Sequence, residues 1–593
     1  MTQQTPPVKR AEWKSRFGFV LAAAGSAVGL GNIWKFPYIT GENGGGLFVL
    51  IYLACILLIG LPIMIAEIMI GRAGQRQPIG AFESIHEGKT AWAGIGWMGV
   101  VAGFIILSFY IVVAGWAMDY TLKSVVNFTK PIEASAAVEA DTFIASATKE
   151  NIKSFLVETK VDHAMRPKKS LFESRLTKKE SNSYKRFSAA IEAAEDKDEA
   201  RRRLLTDASL KSQVRKVEEV NKKIAKAEAD LTTSMEREVK VLTERGLLAE
   251  AKTAKRRSLI YGKVKAAFGN TASNGWQSLM WAALFMMITV GVVAGGVAAG
   301  IERACRILMP TLFALICTMV LYGAFQPGFA EAIAFVFSPD PSKLKASGVL
   351  EALGHAFFTL SLGMGAMMTY GSYQTSKKGL LQQSLMITLL DTLIALLACM
   401  MIFPITFSYG QAPDDGPGLV FMSMPLAFAE IGNGGMLLSI LFFGLLFFAA
   451  LTSAISLLEV VASYLIDQKS WSRPSAALAT GLLTLAVAVP AAFSGDATSV
   501  LANWKGDYGM DFFDTMDHLA SNWMLPLGGL FIAVYAGWIM PRKVQEAEVQ
   551  DMPKWAFHTW LWLVRIVAPA LVVIVLMQKV GVFDIDEIVA SLR

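Results

Sequence analysis

Gly25-Ser26-Ala27-Val28-Gly29-Leu30-Gly31-Asn32 is the stretch on which the reading of this chain turns. It lies inside an apolar run over residues 17–40, long enough to cross a bilayer, for which about 20 apolar residues suffice. In hydrocarbon every peptide N–H and C=O needs a partner. A spanning helix can therefore break only where the freed groups face protein, a cavity or a ligand. Three glycines and an asparagine at mid-depth mark such a break. A second one, Phe358-Thr359-Leu360-Ser361-Leu362-Gly363-Met364-Gly365, interrupts the apolar run 349–375.

Working outward, eleven stretches are apolar and long enough to be helices of this kind. They lie near 17–40, 45–70, 95–126, 276–297, 306–324, 349–375, 380–408, 436–467, 474–493, 511–540 and 556–578. The fold class expected is an all-α membrane protein with eleven transmembrane helices. The interrupted helices are the first and the sixth, each opening a set of five. One such run alone would be close packing through small residues; a matched pair in two halves is the pattern of a carrier's mid-membrane site.

Composition agrees with lipid as the main solvent. Of 593 residues, 54% are hydrophobic and 18% charged, against about 25% charged in soluble chains. Between Asn127 and Gly275 stand 31 Lys and Arg and 22 Asp and Glu, leaving 24 and 27 for the other 444 residues. The net charge of +6 thus comes from one inserted block, and no nucleic-acid partner is expected. The division expected is residues 1–126 for helices one to three, 127–275 for a charged, mostly helical insertion, and 276–593 for helices four to eleven. Within the block, Leu210, Val214, Val217, Ile224, Leu231, Met235 and Leu242 follow 3-4 spacing, interrupted by Asn221, Glu228 and Glu238. That pattern suits a helical hairpin or short coiled coil, and equally an amphipathic helix over a small local core.

A cytoplasmic N-terminus places sixteen Lys and Arg, from Lys9 to Lys554, on inside stretches. It leaves Lys343, Lys345, Lys505, Lys579 and Arg593 on short outside ones. This asymmetry sets the orientation, with the charged block outside between helices three and four. The polar, basic first sixteen residues and the long run after them do not form a cleavable signal. Cys55, Cys305, Cys317 and Cys399 are scattered through apolar stretches as small core residues. His86, His163, His355, His518 and His558 are dispersed, with no H-E-x-x-H and no phosphate-binding loop; an enzyme is not expected.

Broken helices offer two kinds of chemistry. Freed amides at a half-helix start attract a carboxylate, and freed carbonyls with hydroxyls are hard ligands for a small cation. Thr452 and Ser453 add hydroxyls at membrane depth. Asp391, among Leu389, Leu390 and Leu393, is an intramembrane carboxylate, functional by default because it is costly to bury. Asn32, Thr359 and Asp391 together suit a sodium ion.

At these residues the chain resembles the neurotransmitter:sodium symporter family, most closely its bacterial eleven-helix amino-acid transporter branch. The matching stretches are Trp13, Gly25 to Pro37, Glu42-Asn43-Gly44-Gly45-Gly46, Gly300-Ile301-Glu302-Arg303 with Met309-Pro310, Phe357 to Tyr373, and Phe447 to Ser453. Everything except about 130–265 is covered. The resemblance implies two inverted five-helix repeats with broken helices 1 and 6. It also implies sodium-coupled import of a neutral, hydrophobic or aromatic amino acid by alternating access, in a bacterial cytoplasmic (inner) membrane.

Residue by residue, the resemblance assigns one sodium to the Ala27 carbonyl, Asn32, Thr359, Asp391 and the substrate's carboxylate. A second goes to the carbonyls of Gly25, Val28 and Ala449 and the hydroxyls of Thr452 and Ser453. Asp391 stands where relatives often have Asn; its fixed charge would serve in place of chloride, so chloride-independent transport is expected. The substrate carboxylate is assigned to the Leu30 and Gly31 amides and the Tyr110 hydroxyl. Its ammonium is assigned to the carbonyls of Ala27, Phe358, Thr359 and Ser361, and its side chain to Ser26, Ile106, Phe358, Met364 and Leu457. Ser26 replaces the acidic residue of monoamine carriers. Arg10 and Asp467 match the cytoplasmic gate, with Trp13 and Tyr373 beside them. At the outer gate Lys35 replaces the usual Arg, opposite Asp517. Glu67 matches a glutamate that supports the sixth-helix break, and the spacing of Gly300 and Pro310 is linked to unwinding of the fifth helix. An alternative is a substrate-gated membrane sensor using the same site, with the outer block as its signalling or docking module. Four roles are open to that block: docking a protein partner, self-association of protomers, shielding the entrance, or none.

Overall fold

A computed structural model describes residues 11–173, 184, 187–188, 191, 208–340, 346–376, 379–409, 419–431, 434–496, 498–501, 504 and 509–580. Among them no strand occurs. Helix α1 (Arg16–Ala27) starts at Ser15, whose hydroxyl accepts from Gly18 N at 2.9 Å, an N-cap. It ends at Val28, which is extended. The chain resumes as α2 (Gly31–Glu42), bent 46° from α1. Next come α3 (Gly46–Gly74), α4 (Pro78–Ile85) and α5 (Ala93–Val125).

Beyond the charged block, α5 is followed by α10 (Gly275–Ala294), α11 (Val297–Ala324) and α12 (Phe329–Phe337). The sixth apolar run is α13 (Ala346–Thr359) and α14 (Ala366–Gly371), with residues 360–365 non-helical between them. Then follow α15 (Leu380–Ser408), α16 (Val420–Ile431), α17 (Gly435–Lys469), α18 (Arg473–Ala492), α19 (Phe512–Ile539), α20 (Arg542–Glu548) and α21 (Lys554–Gln578).

Among the described residues, nine single helices are long and apolar enough to cross a membrane, and the bent pair α1–α2 makes a tenth. Neither α13 nor α14 is long enough alone, because the break divides that run. Helices α5 and α17 are the most enclosed and pack on each other. Helices α10, α11 and α21 turn side chains such as Met287, Ile307, Leu321, Ile566 and Ile574 outward, as a surface solvated by hydrocarbon requires.

Gly300 and Pro310 both lie inside the continuous helix α11 rather than at an unwound start. Gly300 is there because α10 comes so close: a Cβ would stand 2.0 Å from the Val292 carbonyl oxygen.

Residues 130–263 form a compact unit of their own. Among the described residues its helices are α6 (Thr129–Ser146), α7 (Lys149–Glu173), α8 (Ala208–Lys240) and the first part of α9 (Glu244–Ser273). Helix α8 packs along α7. Val214 and Val217 of the 3-4 series are buried and Ile224, Leu231 and Met235 half-buried, while Val220 and Val239, outside the series, are buried too. The side chain of Leu210 lies outside the described residues. Val239 joins Ile152, Leu156, Leu247 and Ala251 in a small local core. The exposed Asn221, Glu228 and Glu238 interrupt what would otherwise be a continuous seam. Part of the unit's charge is paired internally, Lys160 with Glu238 and Glu250, Lys252 with Asp141, and Lys263 with Glu139.

Candidate functional site

The site grows from the two breaks. After Val28 N closes α1 on the Ala24 carbonyl at 2.7 Å, Gly29 N donates to Asn32 Oδ1 at 3.0 Å and Leu30 N to the Tyr110 hydroxyl at 3.3 Å. The Asn32 side chain thereby satisfies one amide of the non-helical break. In the second break Ser361, Gly363 and Gly365 have left-handed backbone angles. Gly363 N donates to Glu67 Oε1 of α3 at 2.6 Å. A residue other than glycine at 363 would put its Cβ 2.5 Å from the Leu525 carbonyl oxygen.

Asn32, Thr359 and Asp391 converge. Asp391 is fully buried; its Oδ1 accepts from Asn32 Nδ2 at 2.7 Å and from Thr359 Oγ1 at 2.8 Å, and the Tyr52 hydroxyl stands 3.5 Å from Oδ2. Among the described residues no Lys or Arg pairs with it. A buried carboxylate with hydrogen bonds but no counter-charge is costly, so this oxygen set fits a monovalent cation. Tyr52 carried no sequence signal of its own.

The second group also converges. Thr452 Oγ1 lies 3.0 Å from the Ala449 carbonyl and 3.4 Å from that of Val28, and Ser453 Oγ lies 3.5 Å from the latter. Gly25 faces them: a Cβ there would meet the Thr452 Cβ at 3.3 Å.

Between the groups is a cavity of about 20 Å³, on the order of one water. Ser26, Ala27, Gly31, Ile106, Tyr110, Phe358, Thr359, Ser361, Met364 and Leu457 line it, together with Gly29 and Ser453. Leu30 is the one of the eleven expected substrate residues that does not line it; Leu30 lies on the next cavity, of about 40 Å³, with Trp34, Lys35, Tyr38, Phe109, Phe513 and Asp517. Gly31, Tyr110 and Phe358 border both. Above Phe358, Lys35 Nζ is 2.8 and 3.1 Å from the two Asp517 oxygens and 4.9 Å from the Phe358 ring centre.

On the opposite side, Trp13 Nε1 donates to the Tyr370 carbonyl at 2.9 Å and Trp13 N to that of Tyr373 at 3.3 Å. The Tyr373 hydroxyl donates to Glu459 at 2.5 Å, and Arg473 holds the other Glu459 oxygen at 2.8 Å. Asp467 accepts from Gln77 N at 2.9 Å; Arg10 lies outside the described residues. Glu459 and Arg473 were missed from the sequence, although Glu459 carries the same signal as Asp391, an acid within an apolar helix.

Comparison with known proteins bears on this arrangement. The sodium:neurotransmitter symporter family profile matches residues 10–187 and 258–588. An uncharacterised sodium-dependent transporter of Bacillus subtilis, YhdH, is 29% identical over 98% of this chain and 100% of its own length. Another from Haemophilus influenzae is 26% identical over 96% and 98%. Among solved structures, MhsT in complex with L-phenylalanine aligns with a TM-score of 0.68 and 34% identity, covering 96% of this chain and 99% of that one.

Proposed function

The chain belongs to the sodium:neurotransmitter symporter family, and from that premise we propose that it imports a neutral, hydrophobic or aromatic amino acid with sodium by alternating access. Members of this family are sodium-dependent transporters, not enzymes. Support for an amino acid comes from a largely apolar cavity bordered by Gly31 at the first break and by the Tyr110 hydroxyl, and from the phenylalanine held by MhsT.

The single observation that carries the proposal is Asp391, buried beside that cavity against Asn32 and Thr359 with no cationic side chain among the described residues. Sodium bound by Ala27, Asn32, Thr359 and Asp391 supplies the counter-charge, and the cargo's carboxylate completes its shell. A second ion takes Gly25, Val28, Ala449, Thr452 and Ser453. The fixed charge of Asp391 makes chloride unnecessary. Lys35–Asp517 closes the outer side over Phe358, and Arg10–Asp467, with Trp13 and Tyr373, the cytoplasmic one. The protein lies in a bacterial inner membrane with its N-terminus cytoplasmic and residues 130–263 outside.

The coupling is sufficient. Each charge crossing about 100 mV releases about 2.3 kcal/mol, and a tenfold sodium gradient adds about 1.4. Two ions with a zwitterion supply about 7 kcal/mol, enough for roughly 10⁵-fold accumulation.

The test is thermal stabilisation of purified protein by each of the twenty amino acids with and without sodium, followed by uptake into proteoliposomes. Stabilisation by neutral apolar or aromatic amino acids in sodium alone, and uphill uptake, are expected. No amino acid stabilising in sodium would overturn the proposal, and binding without flux would leave a sensor.

A further inference from the structure

Four serines meet at one side of the cavity: Ser26 of α1, Ser361 of the second break, and Ser453 and Ser456, one turn apart on α17. All four are buried, so each hydroxyl proton needs an acceptor within the protein. Ser26 donates to Ser456 Oγ at 2.7 Å, with Ser361 Oγ 3.2 Å away as a second acceptor. Ser456 donates to the Ser453 carbonyl at 2.7 Å. Ser361 and Ser453 both donate to the Ser26 carbonyl, at 2.8 and 3.1 Å.

Every proton of the cluster is thus engaged inside it. A hydroxyl has one donor and two acceptor sites, so Ser26, Ser361 and Ser453, which line the cavity, keep lone pairs to offer and no hydrogen. Ser456 is not part of the lining; it stands behind Ser26 and takes its proton. Of the other lining side chains, Ile106, Phe358, Met364 and Leu457 are apolar, the Thr359 hydroxyl donates to Asp391, and the Tyr110 hydroxyl, which accepts from Leu30 N, bonds to Ser453.

We infer that this wall is an acceptor-only surface which selects, among neutral amino acids of one shape, the one whose side chain ends in an N–H or O–H. Ser26 is the specificity-determining residue, and Ser456 positions it by removing its hydrogen. A donor at the cargo's tip pairs with the waiting lone pairs. An aliphatic or plain aryl tip of the same size leaves them dry and unpaired, at a cost. An acidic side chain finds no hydrogen to accept. The inference rests on the cavity being the amino-acid site and narrows what that site takes.

The test uses full-length protein in sodium and isosteric ligand pairs: tyrosine with phenylalanine, tryptophan with 3-benzothienyl-L-alanine, threonine with valine. In whichever pair binds best, the donor-bearing member is expected to bind about tenfold tighter, the worth of one buried hydrogen bond. In Ser26→Ala that ratio is expected to fall to about one. Equal or tighter binding of the apolar member to the wild type overturns the inference, yet leaves sodium-coupled amino-acid symport standing, since both members bind. A ratio that persists in Ser26→Ala overturns it too. If that variant does not fold, the wild-type ratio still decides. Absence of binding by any amino acid in sodium would fell the transport proposal itself.

Discussion

Asn32 and Asp391 are 359 residues apart in the chain, yet the Asn32 amide donates to the Asp391 carboxylate at 2.7 Å and to its carbonyl at 3.1 Å. The first helix's break is thereby fastened to the middle of α15, and the Asp391 carboxyl is held at membrane depth with no Lys or Arg paired to it among the described residues. Asp391→Asn keeps the shape and removes the charge. At an effective dielectric constant near 20, a unit charge about 4 Å from an ion is worth about 4 kcal/mol at most. The sodium concentration for half-maximal uptake is expected to rise about 100-fold, and chloride replacement by gluconate, without effect on the wild type, should now reduce uptake. Sodium titrations in the two anions check both.

Thr452 and Ser453 make a separate prediction, because their partners are the carbonyls of Val28 and Ala449 rather than Asp391. Thr452→Ala with Ser453→Ala removes two oxygens from the second group and leaves the first intact. Half-saturating sodium is expected to rise about tenfold, a change of about 1.4 kcal/mol, and the sodium dependence of uptake to turn from sigmoidal to hyperbolic. An unchanged sigmoid would place the second ion elsewhere.

Both breaks were legible in the sequence because clustered glycines at mid-depth weaken the one conformation that hydrocarbon otherwise enforces. Asp391 was legible because an acid there is conspicuous. What the sequence withheld was geometry between helices. Nothing in the spacing puts Ser456 behind Ser26 or Tyr52 beside Asp391. Nor does the spacing of Gly300 and Pro310 put Gly300 against Val292, whose close approach is a tertiary fact. The seam in α8 was half legible: Val214 and Val217 follow the repeat, but Val220 is buried outside it and Val239 belongs to a local core that a heptad count cannot register.

Lys35 and Asp517 are partly exposed, 17% and 28%, and ion pairs of that kind contribute roughly 0–1 kcal/mol. Lys35→Gln should therefore shift the melting temperature by no more than about 2 °C. Its effect should fall on closure over Phe358: uptake is expected to slow several-fold, with sodium-dependent binding largely kept. Lys35→Arg, which can engage both oxygens through a planar fork, should hold the outer side closed longer. Labelling of a cysteine placed at Asp514 before and after sodium reports that closure.

In the charged unit, the hydrogen bonds from Lys263 and Ser135 hold the exposed Glu139 carboxyl below the ordinary carboxylate range. A lowered folded value means that the contact stabilises above the unfolded value of about 4.3 and is lost as pH falls through the folded one. The protection factors of amides in 135–146, corrected for the intrinsic pH dependence of exchange, should be constant near neutrality and fall on acidification below about pH 4. Lys263→Met should abolish that step.

Glu67 and Gly363 hold the second break from opposite sides, and their substitutions should differ in kind. Glu67→Gln keeps an oxygen for the Gly363 amide, 2.6 Å away, and should leave stability and uptake near wild type. Glu67→Ala leaves that buried N–H without a partner, at about 1–3 kcal/mol, and frees residues 360–365 to shift. Sodium-dependent amino-acid binding should then weaken more than overall stability, since Thr359 adjoins the loosened segment and Ser361 lies within it. Gly363→Ala is harsher. It forces a side chain into a backbone angle that favours glycine and against the Leu525 carbonyl. The two losses act on one peptide unit, so Glu67→Ala in the Gly363→Ala background should cost less than it does alone. A double-mutant cycle on melting temperature and sodium-dependent binding measures this, and full additivity would mean that Glu67 supports something other than the break.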